Sequence, residues 1–301
     1  MKTAIAIMTY NRVGALKELL KGTSRHCSNY PLPIFEDCGY QDTTEAHLTA
    51  GATHRGTDHE LEAEHYEVET ARAPLHAFIG NRNLGVTGNT NRAIRWFMTQ
   101  TDCDHLCVLN DDLHVLGDFP KLYSAAHEAL GIGLFCFNDF SGEDYRWMPV
   151  KIRGFEVHVF RRMTGIMMSF TRDLVDKIGY YDADFGKFGE EHCDFTNRAR
   201  FAGAMQLDGQ NQACLDVFPL GSGGSPGEAV LRHQEAPTSM TGIVRARADS
   251  DATESMKYAS WSYRNKDIFR PFLLSKPRRA GAYQGVGIPV DNLLPAYTLV
   301  Q

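Results

Sequence analysis

Ten residues, His105 to His114 (HLCVLNDDLH), constrain this chain more than any others. An apolar run, Leu106-Cys107-Val108-Leu109, stops at an amide and two adjacent carboxylates, Asn110-Asp111-Asp112, and His114 follows two residues later. So short and apolar a run reads as a buried strand. Its polar residues then emerge at the C-terminal edge of a sheet. Adjacent carboxylates repel one another unless they are well solvated or something positive sits between them. A hard divalent cation with oxygen ligands is one natural partner. A simple acidic turn is the other reading.

The rest of the chain says which kind of sheet this is. Thr3–Met8 reads as a buried strand, Thr9-Tyr10-Asn11-Arg12 as a polar turn, and Gly14–Lys21 as a helix spaced by Leu16, Leu19 and Leu20. Pro33–Phe35 is a second strand ending at Glu36-Asp37-Cys38-Gly39, with a helix near Thr43–Thr49. Gly51–Arg72 is polar and rich in His and Glu, and reads as an insertion or a loosely packed helix. Strands at His76–Ile79, His105–Leu109 and Ile132–Phe137 alternate with helices at Thr87–Met98 and Asp118–Ala129. This alternation predicts an α/β fold, a mostly parallel sheet covered by helices. Ligands of such sheets bind beyond the carboxyl ends of the strands. The polar clusters Thr9–Arg12, Glu36–Asp37, Asn81–Gly85 and Asn110–Asp112 all fall at such ends.

In the second half, Phe155–Phe160 and Gly165–Phe170 read as strands, Arg172–Ile178 as a short helix, and Gly189–Ala202 as a helix opened by Glu190-Glu191. Gly221–Gly227 reads as a flexible loop before Val230–His233, and Thr253–Phe269 as a last helix. The net charge of -6 is uneven: residues 245–279 hold nine Lys/Arg against four Asp/Glu. A local excess of this kind suits an anionic acceptor or surface, or a solvated helix face. No run approaches the ~20 apolar residues of a membrane span, and Met1-Lys2-Thr3 opens straight into a strand. The seven cysteines form no CxxC pair, so reduced thiols and a cytoplasmic location are the expectation.

Four segments resemble, in order, the motifs of GT-A fold glycosyltransferases, in particular the large family 2 group that includes rhamnosyltransferase-like enzymes. Ile7-Met8-Thr9-Tyr10-Asn11-Arg12 is similar to the first-strand turn. Asn81 to Asn91 is similar to the glycine-containing turn and helix start, with Arg92 in place of a final glycine. Leu109-Asn110-Asp111-Asp112 is similar to a DXD motif. Thr164-Gly165, Gly179–Phe185 and Glu190-Glu191-His192-Cys193-Asp194 with Arg198 are similar to the acceptor-side block. The likeness spans roughly residues 3–235. It implies a Rossmann-like GT-A domain over 1–240, with a nucleotide-sugar half at about 1–115 and an acceptor half at about 116–240. A basic C-terminal extension, helical or irregular, follows at 241–301.

The resemblance implies a role for each segment. Asp112 is the best metal ligand, with Mn2+ or Mg2+ neutralising a donor diphosphate. Asn110 faces the ribose, and Asp111 suits either task. Thr9, Tyr10, Asn11 and Arg12 line the base and ribose pocket, and Asp37 accepts from a pyrimidine N–H. Asn83, Gly85 and Asn91 bring the helix start to the donor, and His233 reaches the metal. His114, two residues beyond Asp112, is a further candidate ligand if the strand continues. Asp194 and Arg198 fix the register, so His192 falls where the family places its carboxylate base. The catalytic candidates are therefore Glu190, Glu191, His192 and Asp194, and the first three all stay candidates for the base.

The expected function is metal-dependent transfer of a sugar from a nucleoside diphosphate donor, UDP- or dTDP-linked, to an acceptor hydroxyl, with inversion. An anionic acceptor is favoured: a saccharide, a lipid-linked saccharide or a modified nucleic acid. The rivals are an inactive GT-A nucleotide- or carbohydrate-binding protein and a sugar-phosphate nucleotidyltransferase. The nucleotidyltransferase would need a basic glycine loop that Thr9–Gly14 lacks.

Overall fold

The computed structural model describes residues 1–37, 43–70, 74–137, 150–160, 165–182, 191–207, 209–212, 214–219 and 230–233, and every count and absence below refers to these. The elements run β1 (Thr3–Thr9), α1 (Val13–His26), β2 (Ile34–Glu36), α2 (Thr43–Thr49), β3 (Thr53–Asp58), β4 (Ala63–Val68) and β5 (Leu75–Gly80). They continue as α3 (Gly85–Gln100), β6 (His105–Asn110), β7 (Leu113–Val115), α4 (Phe119–Leu130), β8 (Leu134–Phe137), β9 (Val150–Ile152), β10 (Phe155–Phe160) and β11 (Met167–Thr171). The last are α5 (Arg172–Ile178), α6 (Glu191–Phe201), β12 (Gln206–Leu207), β13 (Gln210–Asn211), β14 (Cys214–Pro219) and β15 (Leu231–His233). The 221–227 loop, the 253–269 helix, the basic 245–279 segment and Glu190 lie outside the described residues.

The fold is α/β, with a large, mostly parallel central sheet flanked by helices. Eight strands lie in the order β3-β4-β5-β2-β1-β6-β11-β8. The central four, β5, β2, β1 and β6, are parallel neighbours, and β4 and β11 run against them. All seven residues of β1 are buried, as a strand covered on both faces must be. Leu16 and Leu19 of α1 and Ala93, Ile94 and Phe97 of α3 are fully buried in the same core. Each large aliphatic or aromatic side chain among them contributes roughly 1.5–3 kcal/mol by leaving water. A Cβ on Gly22 would lie 2.7 Å from the Val115 carbonyl oxygen, so glycine there lets α1 sit tightly on β7.

The connections position the site. The chain steps from β1 to β2 on one side and then crosses from β5 through α3 to β6 on the other. Strand order reverses about β1, and in open α/β sheets such a point, beyond the carboxyl ends of β1 and β6, is where ligands bind. The register puts Met8 beside Asn110, so the Thr9–Arg12 turn and the Asn110–Asp112 turn leave the sheet side by side.

Of the two readings of 51–72, an insertion or a loosely packed helix, the described residues exclude the helix. β3 and β4 form an antiparallel hairpin that extends the sheet past β5, with a bulge between His54 and Gly56. Its exposed faces carry cross-strand pairs, Arg55 with Glu67 and His54 with Glu64. These pairs are solvated and each contributes little. Charges along an exposed edge also discourage further strand pairing.

A polar chain runs through the core. His105 on β6 and His127 on α4 both meet the Ser169 hydroxyl on β11, at 2.7 and 2.9 Å. His127 Nδ1 also lies 2.5 Å from the Ile132 carbonyl oxygen, and His105 Nδ1 lies 3.0 Å from the Thr3 hydroxyl. Burial pushes His127 down to about 4 and His105 well below the usual imidazole value, so both are neutral partners near pH 7. A smaller sheet, β14-β10-β9, packs beside α4, where the Tyr123 hydroxyl donates to buried Asp216 at 2.6 Å.

Candidate active site

Two carboxylates and one guanidinium meet beyond the carboxyl ends of β1 and β6. Arg12, from the turn after β1, lies with one terminal nitrogen 3.2 Å from Asp111 Oδ1 and 2.9 Å from Asp112 Oδ2. The Thr9 hydroxyl donates to Asp111 Oδ2 at 2.7 Å. Burial pushes the Asp111 carboxyl up to about 7, against the pull of Arg12, the Thr9 hydrogen bond and a backbone N–H of Tyr10. Thr9 and Arg12, expected in a base and ribose pocket, thus contact the acidic pair. Asn11 takes a left-handed φ of 53° in that turn and is exposed, and Tyr10 is half-buried. Asn110 ends β6, and its N–H donates to the Ile166 carbonyl at 2.9 Å.

Asp37 has protein partners for both carboxylate oxygens. Its Oδ1 accepts from the Leu84 N–H at 2.9 Å and from Arg92 at 2.9 Å, and its Oδ2 accepts from the Gly85 N–H at 2.6 Å. A carboxylate at a helix N-terminus satisfies amides that the helix leaves over and meets the positive end of its dipole. Asn83 caps the same turn by accepting from the Gly85 N–H at 3.0 Å, and Gly85 itself has φ 70°. Burial pushes Asp37 up to about 6, against Leu84, Arg92 and Gly85. Arg92 also donates to the carbonyls of Leu61 and Arg82, so it fastens the hairpin, β5 and α3 together. The departure from glycine at residue 92 is therefore structural. Asn91, expected at the donor, instead exchanges two hydrogen bonds with the backbone of Tyr181, at 2.9 and 3.0 Å.

That Tyr181 backbone leads to α6. The Tyr181 hydroxyl lies 3.1 Å from His192 Nδ1 with the rings edge-on, and His192 Nε2 lies 3.4 Å from Glu191 Oε1. A Cβ on Gly165 would overlap the His192 ring, so the glycine makes room for it. Gly165 precedes Ile166, the partner of Asn110, and through this contact the start of α6 stands beside the acidic turn. Burial pushes His192 down to about 4. Asp194 and Arg198 form an i,i+4 pair at 2.8 Å, and Arg198 donates onward to the carbonyls of Ile178 and Tyr180. Both are buried, and through these bonds they hold α6 against the 178–180 segment.

The two histidine candidates part company. Asp111 and Asp112 form a turn between β6 and β7, so no continuous strand joins Asp112 to His114, and His114 sits near Glu18 of α1. His233 pairs in the β7–β15 ladder with Leu113, the residue next to Asp112. Among the described residues no group of three or more His, Cys, Asp or Glu side chains is disposed to hold a metal, and no helix is long and apolar enough to cross a membrane. Two features carried too little sequence signal to assign: Arg92 as the partner of Asp37, and Tyr181 as the neighbour of His192. A buried arginine after a polar helix start is the cue for the first, and a tyrosine pair before the acidic block for the second.

No protein-family model matches the chain, and no curated protein matches it. Solved structures do. Residues 1–349 of S. aureus TarS in complex with UDP-GlcNAc match with a TM-score of 0.46 and 13% identity over 67% of this chain and 54% of that one. GalNAc-T7 with UDP, GalNAc and Mn2+ matches with a TM-score of 0.49 and 14% identity, over 91% of this chain and 54% of that one. A197 from STIV matches at 0.33 and 14% over 59% of this chain and 69% of that one. The chain spans only 34% of the longer TarS chain. Scores this low leave function to be read from the chain's own residues.

Proposed function

We propose that this chain is a GT-A fold glycosyltransferase of the family 2 kind, moving a sugar from a UDP- or dTDP-linked donor to an acceptor hydroxyl. One observation carries the reading. The turn after β1, the Asp111–Asp112 turn after β6 and the start of α6 come from three separate motifs and stand together at one edge of the sheet.

The donor set suits a hard divalent cation, because an oxygen of Asp111 and an oxygen of Asp112 converge on one cationic nitrogen. Asp112 and Asp111 would hold Mn2+ or Mg2+, and the backbone register brings His233 into the same neighbourhood. The ion supplies counter-charge for the diphosphate leaving group. Asp37 and Arg92 hold the start of α3 in place, and Asn91 fixes the 181 segment that carries the Tyr181–His192 contact. For the acceptor proton, Glu191 is the better base. His192, held near 4, is a weak proton acceptor at neutral pH. One carboxylate base suits a single displacement, with inversion at the anomeric carbon. The basic 245–279 segment would meet an anionic acceptor by charge attraction. Free thiols at Cys27, Cys103, Cys107, Cys136 and Cys214 accord with a reducing, cytoplasmic setting.

Thermal shift against a panel of nucleoside diphosphates and their sugars tests the reading. A rise in Tm with uridine or thymidine diphosphates, larger with Mn2+ present, supports it. No shift with any nucleotide refutes it.

A further inference from the structure

Arg12 stands in the position that the acidic pair would offer to a metal. Its guanidinium nitrogen is within 3.2 Å of both carboxylates, and the side chains are largely removed from water, with Asp111 at 4% and Asp112 at 15% exposed. Two adjacent carboxylates held this way need a positive charge between them, since their mutual repulsion is weakly screened away from solvent. The turn that presents Arg12 is built for the task. Asn11 takes the left-handed φ of 53°, and the Thr9 hydroxyl ties the same turn to Asp111. The pairing of β1 with β6 sets the two turns side by side.

We infer that Arg12 is the resident counter-cation of the Asp111–Asp112 pair, so that a divalent ion must compete with its guanidinium for the two carboxylates. The inference rests on the glycosyltransferase reading for the ion's purpose, but not for the geometry. It assigns Arg12 a part beyond lining a nucleotide pocket: it sets metal affinity. The fixed arginine offsets one of the pair's two negative charges when no donor is bound. A donor diphosphate offers the guanidinium a second anion, and bidentate guanidinium–phosphate contacts are strong. Metal and donor should therefore bind with positive coupling, because each relieves what the other displaces.

Mn2+ binding, read directly from the electron paramagnetic resonance signal of the free ion, tests this without any turnover. Wild type, Arg12→Gln, Arg12→Lys and the double variant Arg12→Gln/Asp112→Asn are titrated, with near-UV circular dichroism confirming the fold. Arg12→Gln is expected to bind Mn2+ at least about tenfold more tightly than wild type, Arg12→Lys to stay near wild type, and the double variant to lose the gain. Without metal, Arg12→Gln should melt below wild type, and Mn2+ should raise its Tm more than it raises that of wild type. Equal or weaker Mn2+ binding in folded Arg12→Gln overturns the inference. So does the absence of Mn2+ binding from every variant. In that case nucleotide thermal shifts separate the outcomes: a shift with uridine or thymidine diphosphate keeps the transferase reading, and its loss ends both.

Discussion

The ring of His192 packs onto the backbone at Gly165, in space that any Cβ at residue 165 would fill. The contact joins α6 to the segment whose Ile166 carbonyl receives the Asn110 N–H. Gly165→Ala should therefore push His192 and Glu191 away from the acidic turn. Turnover is expected to fall by about tenfold or more, as small misplacements in active sites do, while the nucleotide dissociation constant stays within about threefold. Equal kcat in Gly165→Ala and wild type would show that the contact is packing alone.

Asp37 and Arg92 are a buried ion pair at 2.9 Å between the end of β2 and α3. Removing one partner strands the other charge. Arg92→Ala should cost about 3–5 kcal/mol of stability, the range for a broken buried pair. Asp37→Asn keeps the size but loses the charge, and should cost about 1–3 kcal/mol while also weakening donor binding through the displaced start of α3. Urea denaturation of both variants checks the ranking. A stable Asp37→Asn with impaired nucleotide binding would restore the direct base contact as its role.

Acid should weaken the fold through His127. Its folded value near 4 lies below its ordinary value of 6.5, so the unfolded chain takes up the proton first. The stability it contributes is complete above pH 6.5 and is lost as pH falls from there toward 4. The loss is roughly 3 kcal/mol when complete. Asp37 and Asp111, raised to about 6 and about 7, act in the opposite sense and gain stability as pH falls toward their ordinary values, while His192 acts in the same sense as His127, so single-protein profiles mix these groups. The difference between wild type and His127→Gln isolates the histidine: the variant starts less stable at pH 7 and loses less on acidification. Parallel pH profiles for the two proteins would contradict the assignment.

Much of the fold is legible in the sequence, and the reasons are physical. Strands at Thr3, His76 and His105 announce themselves because each is buried on both faces for most of its length and so is largely apolar. The hairpin at 53–68 does not, because its faces are wet and polar. The polar clusters fall at strand ends for the reason that makes them a site. What the sequence withholds is pairing. The Arg12 contact with Asp111 and Asp112 depends on the register of β1 against β6, and Asp37 meets Arg92 across 55 positions of chain. Neither is encoded by local spacing. Asn91 belongs to a motif that implies a donor contact, yet its amide serves the backbone of Tyr181.

The choice of base is decided by kinetics. Glu191→Gln should cut kcat by roughly 10²–10⁴-fold with donor binding retained, and His192→Asn by less, since a neutral imidazole only supports its neighbour. If His192→Asn is the more damaging change, the imidazole is the base. Product configuration by NMR reports inversion or retention independently.

We propose that the Asp111–Asp112 edge handles a nucleoside diphosphate sugar. The deciding measurement is the release of nucleoside diphosphate from a panel of UDP- and dTDP-sugars with Mn2+, in wild type and in Asp112→Ala. Wild type is expected to release nucleoside diphosphate from at least one donor, with a loss of about two or more orders of magnitude in Asp112→Ala as the leaving group loses its counter-charge. Wild-type rates in Asp112→Ala, or no release from any donor by either protein, would contradict it.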